Sequence, residues 1–356
     1  MQVRAFGRSA HEHAPLPIVL CGLALRPNGA GVSTYIRQLV STLPRHFDGP
    51  TDVVVQADMV ASMPTAITTR ERSISSGVRR AIEGLRNPGP ARLVHGLDVD
   101  LPALLHCPSV TTVHDLSVFD VPWAFSRRRK YGERLLVERA IRRADAVITV
   151  SQFTANRVLE RFGRESVVTT QAPAPDLRPA EPDRIEAVRR AHELPDRFVL
   201  HVGSVEPRKD IGSLAEACRS IDIPLVLAGA RMTAPPAGAV VLGFVPSGEI
   251  PALYGSATIV AYTSIYEGFG LPPLEAMACG APVVATPVPS LVECVPQAAE
   301  LVPVRSPEKL AAVLADLFQD DERRLDLAER GLSAVSRLSW DDTAAGTVGV
   351  YRSLGI

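Results

Sequence analysis

The sequence predicts an α/β protein built from two Rossmann-like, doubly wound domains that face each other across a cleft. Three observations carry this reading. Short apolar runs of strand length alternate with helical periodicity along the chain, as in parallel sheets covered on both faces. The 356 residues exceed one core and suit two domains of about 150–200 residues each. Between them lies Gln171–Asp183, where Pro173, Pro175, Pro179 and Pro182 oppose both helix and ladder.

The strands follow in order. Ile18–Leu23, Val53–Gln56, Arg92–His95, Val110–His114, Ala146–Val150 and Val167–Thr170 precede the linker. Phe198–Gly203, Leu225–Ala228, Val240–Phe244, Ile259–Tyr262, Val283–Ala285 and Glu300–Val302 follow it. Leu16–Leu25 trails Arg4 and Arg8 as the core of a signal peptide would. It lacks a small-residue cleavage site and fits a first strand better. Leu310, Val313, Leu314, Leu317 and Phe318 form a stripe at helical spacing. The expected units are 1–174, 175–338 and a closing helix in 339–356.

Composition narrows the class. A 46% hydrophobic and 22% charged chain excludes bulk disorder, collagen-like sequence and a disulfide mini-scaffold. The five cysteines are odd in number and include no CxxC, which points to a reducing cytosol and away from a zinc knuckle. No apolar run reaches membrane-spanning length. The net charge of −1 hides a reversal. Residues 1–170 hold 22 Lys and Arg against 15 Asp and Glu, and the rest of the chain holds 16 against 24. The sign changes at the proline-rich stretch. Only three of the 38 basic residues are lysines, Lys130, Lys209 and Lys309, so a lysine at a special place draws notice.

Two segments carry chemistry. Ser264–Thr286 reads as a strand end, a glycine turn through Gly268 and Gly270, and a helix over Leu271–Gly280. Its turn exposes backbone N–H groups at a helix start, a natural anion site. Glu267 and Glu275 flank it, placed to accept hydroxyl hydrogen bonds from a ribose or a sugar. The plainer alternative is a pair of solvated glutamates. His201–Asp210 follows a strand and places Arg208 and Lys209 together, a planar fork beside a compact charge, as suits a diphosphate. Two solvent-facing cations are the plainer reading there.

These residues resemble the retaining glycosyltransferases of the GT-B family 4, which share an E-x7-E motif, and within them the mannosyltransferase branch. Ala30–Tyr35 is similar to that family's glycine loop, Val113-His114-Asp115 to its histidine strand end, and Ala144–Phe153 to a further segment. The resemblance implies that Arg208 and Lys209 neutralise the donor diphosphate. It implies that the N–H groups of Phe269, Gly270 and Leu271 bind the β-phosphate or donor sugar. Glu275 would accept from the ribose, Glu267 from the transferred sugar, and His114 would contact that sugar near the reacting carbon. Gly31 would let its loop approach the phosphates without a Cβ. Ala30 and Ser33 stand where the family often has glycine. The implied donor is GDP-mannose, with a UDP-hexose as runner-up. The first domain would bind a glycan, lipid-linked or small-molecule acceptor, and Trp340–Leu354 would brace it. Same-face attack is the expected route to retention, since neither glutamate is an evident nucleophile. An epimerase of the same architecture and an inactive binding subunit are the other classes.

Other features take plainer readings. Asp98-Val99-Asp100 is a DxD triplet, read as a loop rather than a metal site, with Arg208 and Lys209 in the cation's place. No cofactor or metal is expected. The histidines show no H-x3-H pair, and His11 and His13 fall in an N-terminal tail. Cys279 reads as packing, and Ser151 as a helix cap. Arg127–Lys130, Arg134, Arg139, Arg142 and Arg143 make a basic band on a helix whose apolar stripe is Val137, Ala140, Ile141 and Ala144. That band is a solvated surface, or a binder of an anionic acceptor or the inner face of an anionic membrane. Nucleic acid is excluded by the lack of a basic domain with interleaved aromatics.

Overall fold

The computed structural model describes residues 15–29, 31–230 and 233–356. His11, His13, Ala30, Arg231 and Met232 lie outside the described residues.

Seven strands form the first sheet: β1 (Ile18–Cys21), β2 (Thr51–Gln56), β3 (Thr68–Arg72), β4 (Leu93–Gly96), β5 (Ser109–Val113), β6 (Ala146–Thr149) and β7 (Val167–Val168). Six form the second: β8 (Val199–Val202), β9 (Leu225–Ala228), β10 (Val240–Gly243), β11 (Ile259–Tyr262), β12 (Val283–Ala285) and β13 (Glu300–Leu301). The spatial orders are β3-β2-β1-β4-β5-β6-β7 and β10-β9-β8-β11-β12-β13. All the pairings are parallel. Each order reverses once, between β1 and β4 and between β8 and β11. Ligands bind at the carboxyl ends of strands at such switch points.

The inner strands read as apolar runs because both faces are covered. β1 and β11 are buried at every residue. β3 is the strand that the apolar runs do not announce. Its sequence, TTRER, has no buried residue. It holds the edge by polar contacts: Arg70 Nε donates to Asp52 Oδ2 across the ladder at 2.7 Å. Charge on an edge strand also discourages pairing with other chains.

Helices flank both sheets. Pro307–Gln319 buries Leu310, Leu314, Leu317 and Phe318, the stripe seen in the sequence. The linker contains no helix or strand through residue 181. Pro182 then opens the helix Pro182–Ala191, where a missing N–H costs nothing. The helix Trp340–Ser353 returns to the first sheet, and Trp340, Ala344, Val348 and Tyr351 join Tyr35, Ile36 and Leu39 in one core. Its Tyr351 hydroxyl lies 2.6 Å from Nδ1 of buried His95, whose Nε2 lies 2.8 Å from Thr112 Oγ1. Burial, then His114, lowers the His95 pKa to about 3, so the ring is neutral. No described helix is long and apolar enough to cross a membrane.

Candidate active site

The switch point of the second sheet opens because β8 and β11 pair only through Val199 and Leu200. Beyond these residues the strands diverge, and the turns that follow them line the gap. After β8, Pro207–Lys209 makes one 3-10 turn. Arg208 Nη1 lies 2.9 Å from Glu267 Oε2, and its Nη2 lies 2.9 Å from Glu206 Oε1. Lys209, 6% exposed, pairs with Glu267 Oε1. Two cations and two carboxylates thus form a neutral, largely buried cluster. Burial alone would raise the Glu267 pKa, but Lys209 and Arg208 hold it down at about 2. Burial opposes the charge on Arg208, and Glu267, Asp115 and Glu206 outweigh it, so that pKa is raised.

The turn after β11 supplies the donors. The helix Leu271–Ala278 starts behind Gly270, and its next two residues are Pro272 and Pro273. Prolines carry no N–H, so the orphan donors of this helix start are concentrated in the turn. The N–H groups of Phe269, Gly270 and Leu271 have no acceptor among the described residues. The side chains of Phe269 and Leu271 are buried, which anchors the turn while its amides stay free. Glu275 is half-buried on the same helix. Burial and Asp176 push its carboxyl up to about 7 against the pull of Lys209. A carboxyl so poised gains from a hydroxyl that can hydrogen-bond to it. The helix ends two residues before Gly280, and Cys279 caps it, buried, with its thiol pushed to about 12 by burial.

The first sheet supplies the facing wall. His114 follows β5. Its Nε2 lies 2.9 Å from Leu97 O, and since a carbonyl only accepts, that nitrogen carries the proton. The Gln171 amide donates to Nδ1 at 3.4 Å, and the Tyr35 ring meets the imidazole edge-on with centroids 4.8 Å apart. Gly268 fits directly against this histidine. A Cβ on it would stand 1.8 Å from His114 O. Its own carbonyl accepts from Ser151 Oγ and from Thr154 Oγ1. Tyr266 donates to Asp120 Oδ2 at 3.1 Å, and Glu293 accepts from the amides of Gln152 and Phe153 at 2.7 and 3.0 Å. The donor-side turn is thereby clamped to the first sheet from both flanks.

Gly31 caps the helix Val32–Thr42 at φ 57°, ψ −104°, a conformation for glycine. Nothing lies within 4 Å of where its Cβ would be. Ser151 caps the helix Gln152–Phe162 through Thr154 N. The DxD triplet is held by Arg80, 2.7 Å from Asp100 and 3.9 Å from Asp98. The structure therefore gathers Arg208, Lys209, Glu267, Phe269, Gly270, Leu271 and Glu275 around one gap, with His114 packed against the turn.

Residues 184–333 match the family described as "Glycosyl transferases group 1", and residues 29–170 match "Glycosyltransferase Family 4". The O-antigen chain mannosyltransferase B of Escherichia coli is 33% identical over 285 residues, 74% of this chain and 74% of that protein. The chain belongs to the family 4, group 1 glycosyltransferases. Two solved structures share the fold of this glycosyltransferase. Sucrose-phosphate synthase from Thermosynechococcus elongatus superimposes with a TM-score of 0.77 at 20% identity, covering 96% of this chain and 99% of that one. Anabaena HepE in complex with UDP and glucose gives 0.75 at 19% identity, covering 95% and 100%. The enzyme is thus a hexosyltransferase of GT-B fold. Its two family matches stop on either side of the proline-rich stretch.

Four site residues of the glycosyltransferase escape a reading of the sequence: Glu206, Gln171, Gly268 as a contact point, and Glu293. Glu206 lies inside the segment His201–Asp210, two residues before Arg208, and could have been noticed as a counter-charge. Gly268 and Glu293 act between the two units, Gln171 reaches His114 from the start of the linker, and no local pattern marks any of the three.

Proposed function

We propose that this glycosyltransferase moves mannose, with retention, from a GDP-mannose-type donor to a glycan or lipid-linked acceptor. The observation that carries this is the meeting of three free N–H groups with Arg208 and Lys209 at the switch point. Together they form a receptor for a diphosphate whose charge grows as the anomeric bond breaks. Fixed dipoles and cations there stabilise the transition state more than the ground state. Arg208 and Lys209 are neutralised by Glu206 and Glu267 in the free protein, so the cluster is preassembled without unpaired buried charge.

Glu267 and Glu275 accept hydroxyl hydrogen bonds from the transferred sugar and the ribose. His114 lies beside the transferred sugar, and Gly31 brings its loop over the phosphates. The acceptor hydroxyl attacks from the face that the diphosphate leaves, and the departing phosphate oxygen takes its proton. The mannosyltransferase relative supports mannose. A UDP-hexose is the second reading, favoured by the bound UDP and glucose of HepE. Metal is not required in this scheme, since the two cations stand where a divalent ion would.

The test is a donor panel with acceptor-stimulated release of the nucleoside diphosphate, read together with the anomeric configuration of the product. GDP-mannose should give the highest rate and an α product. Lys209→Ala should lower kcat/KM by about 10²–10³. Wild-type transfer in both Lys209→Ala and Glu275→Ala would overturn the site.

A further inference from the structure

The first unit carries a surface that its own core does not explain. The helix Gly77–Leu85 buries only Gly84. Val78 and Ile82, four apart and so on one face, are 78% and 57% exposed, and Ile74 just before them is 62% exposed. On the helix Arg127–Arg143, Tyr131 and Leu135 repeat that spacing at 66% and 70%. Leu104, 70% exposed, lies on the loop from β4 to β5.

Both helices are tied to this loop. Arg80 reaches Asp100 at 2.7 Å, and Ala103 N donates to Leu85 O at 2.8 Å. From the other side Arg139 donates to Leu101 O and Pro102 O at 2.6 and 2.7 Å. The same two helices carry unpaired cations beside the apolar side chains. Arg79, Arg127, Arg128, Lys130 and Arg143 have no carboxylate partner among the described residues. The nearby acidic groups Glu83, Asp100, Glu133 and Glu138 are already paired with Arg86, Arg80, Arg129 and Arg142. The helix Arg127–Arg143 alone holds eight Arg and Lys against two Glu.

We propose that this face docks on an anionic lipid bilayer, with Val78, Ile82, Leu104, Tyr131 and Leu135 entering the interface and the unpaired cations meeting headgroups. Exposed apolar side chains set among unpaired cations satisfy both demands of an interfacial element, apolar burial and attraction to anionic lipid. A nucleic-acid partner would use the cations and leave the aliphatic residues idle. A protein partner would need matching acidic patches and would ignore vesicles. The inference deepens the acceptor side of the proposed function, since a bilayer is where a lipid-linked acceptor would be met.

The experiment is sedimentation of the full chain with phosphatidylcholine vesicles, with and without phosphatidylglycerol. The wild type should sediment with the anionic vesicles and be released by salt. Arg127→Ser/Arg128→Ser/Lys130→Ser should weaken that partitioning about a hundredfold, at about tenfold or less per charge. Val78→Ser/Ile82→Ser/Tyr131→Ser/Leu135→Ser should weaken it at least tenfold while keeping the salt sensitivity. Both variants should transfer to a water-soluble acceptor at the wild-type rate, which shows that they fold. Wild type that stays in the supernatant would overturn the proposal, as would serine variants that bind like wild type. Sedimentation needs no turnover, so its failure leaves the donor assignment standing, and failure of the donor panel leaves the docking result readable.

Discussion

Glu267 and Glu275 stand eight positions apart and are driven in opposite directions. Glu267 is held at about 2, below its ordinary 4.5. A depressed carboxyl contributes stability above pH 4.5 and loses it as pH falls toward 2. Glu267→Gln should therefore flatten the acid limb of the stability curve in that window, by up to about 3 kcal/mol, in urea melts against pH. Glu275 is raised to about 7. Its ionisation costs the folded state nothing below pH 4.5 and its full amount above pH 7. Glu275→Gln should gain about 1–3 kcal/mol above pH 7 and nothing below pH 4.5. Equal pH profiles for the two variants would contradict the charge arrangement. The sequence showed both glutamates and both cations. It did not show that Glu267 holds the cations in the free protein, because that depends on where two turns from different strands meet.

At the scale of elements, most of the architecture was legible. Short, mostly apolar runs marked the inner strands, since a strand covered on both faces buries nearly all its side chains. β3 was not legible, because an edge strand that buries no residue carries polar side chains and reads as a loop. The glycine turn was legible as a turn, but its fit against another sheet was not. Gly268 has no positive φ to give it away; its need for glycine comes from His114 O. Gly268→Ala must push the two units apart. Transfer should fall at least tenfold while the circular dichroism spectrum stays that of the wild type, and an unchanged rate would show that the close approach is dispensable.

At the scale of the whole molecule, the charge reversal and the proline stretch located the break between the units. The return of Trp340–Ser353 to the first core could be expected only from the family resemblance, because an amphipathic helix does not name its partner. Its polar anchor is testable. Tyr351→Phe leaves His95 Nδ1 buried without its 2.6 Å partner. That should cost about 1–3 kcal/mol in global unfolding, and a change within error would mean that the ring finds another partner. Surface exposure was equally hidden. No local pattern tells that Val78 and Ile82 face solvent rather than a core.

The returning helix bears on how the chain is made. His95 meets its partner hydroxyl 256 residues further on. Domains fold as the ribosome delivers them, the N-terminal one first. Here the first sheet emerges early but leaves the ribosome with Tyr35, Ile36 and Leu39 uncovered. The second unit can close within its own span of sequence. During synthesis the earlier half is therefore the one completed last, and it is the half that a nascent-chain chaperone would have to shield.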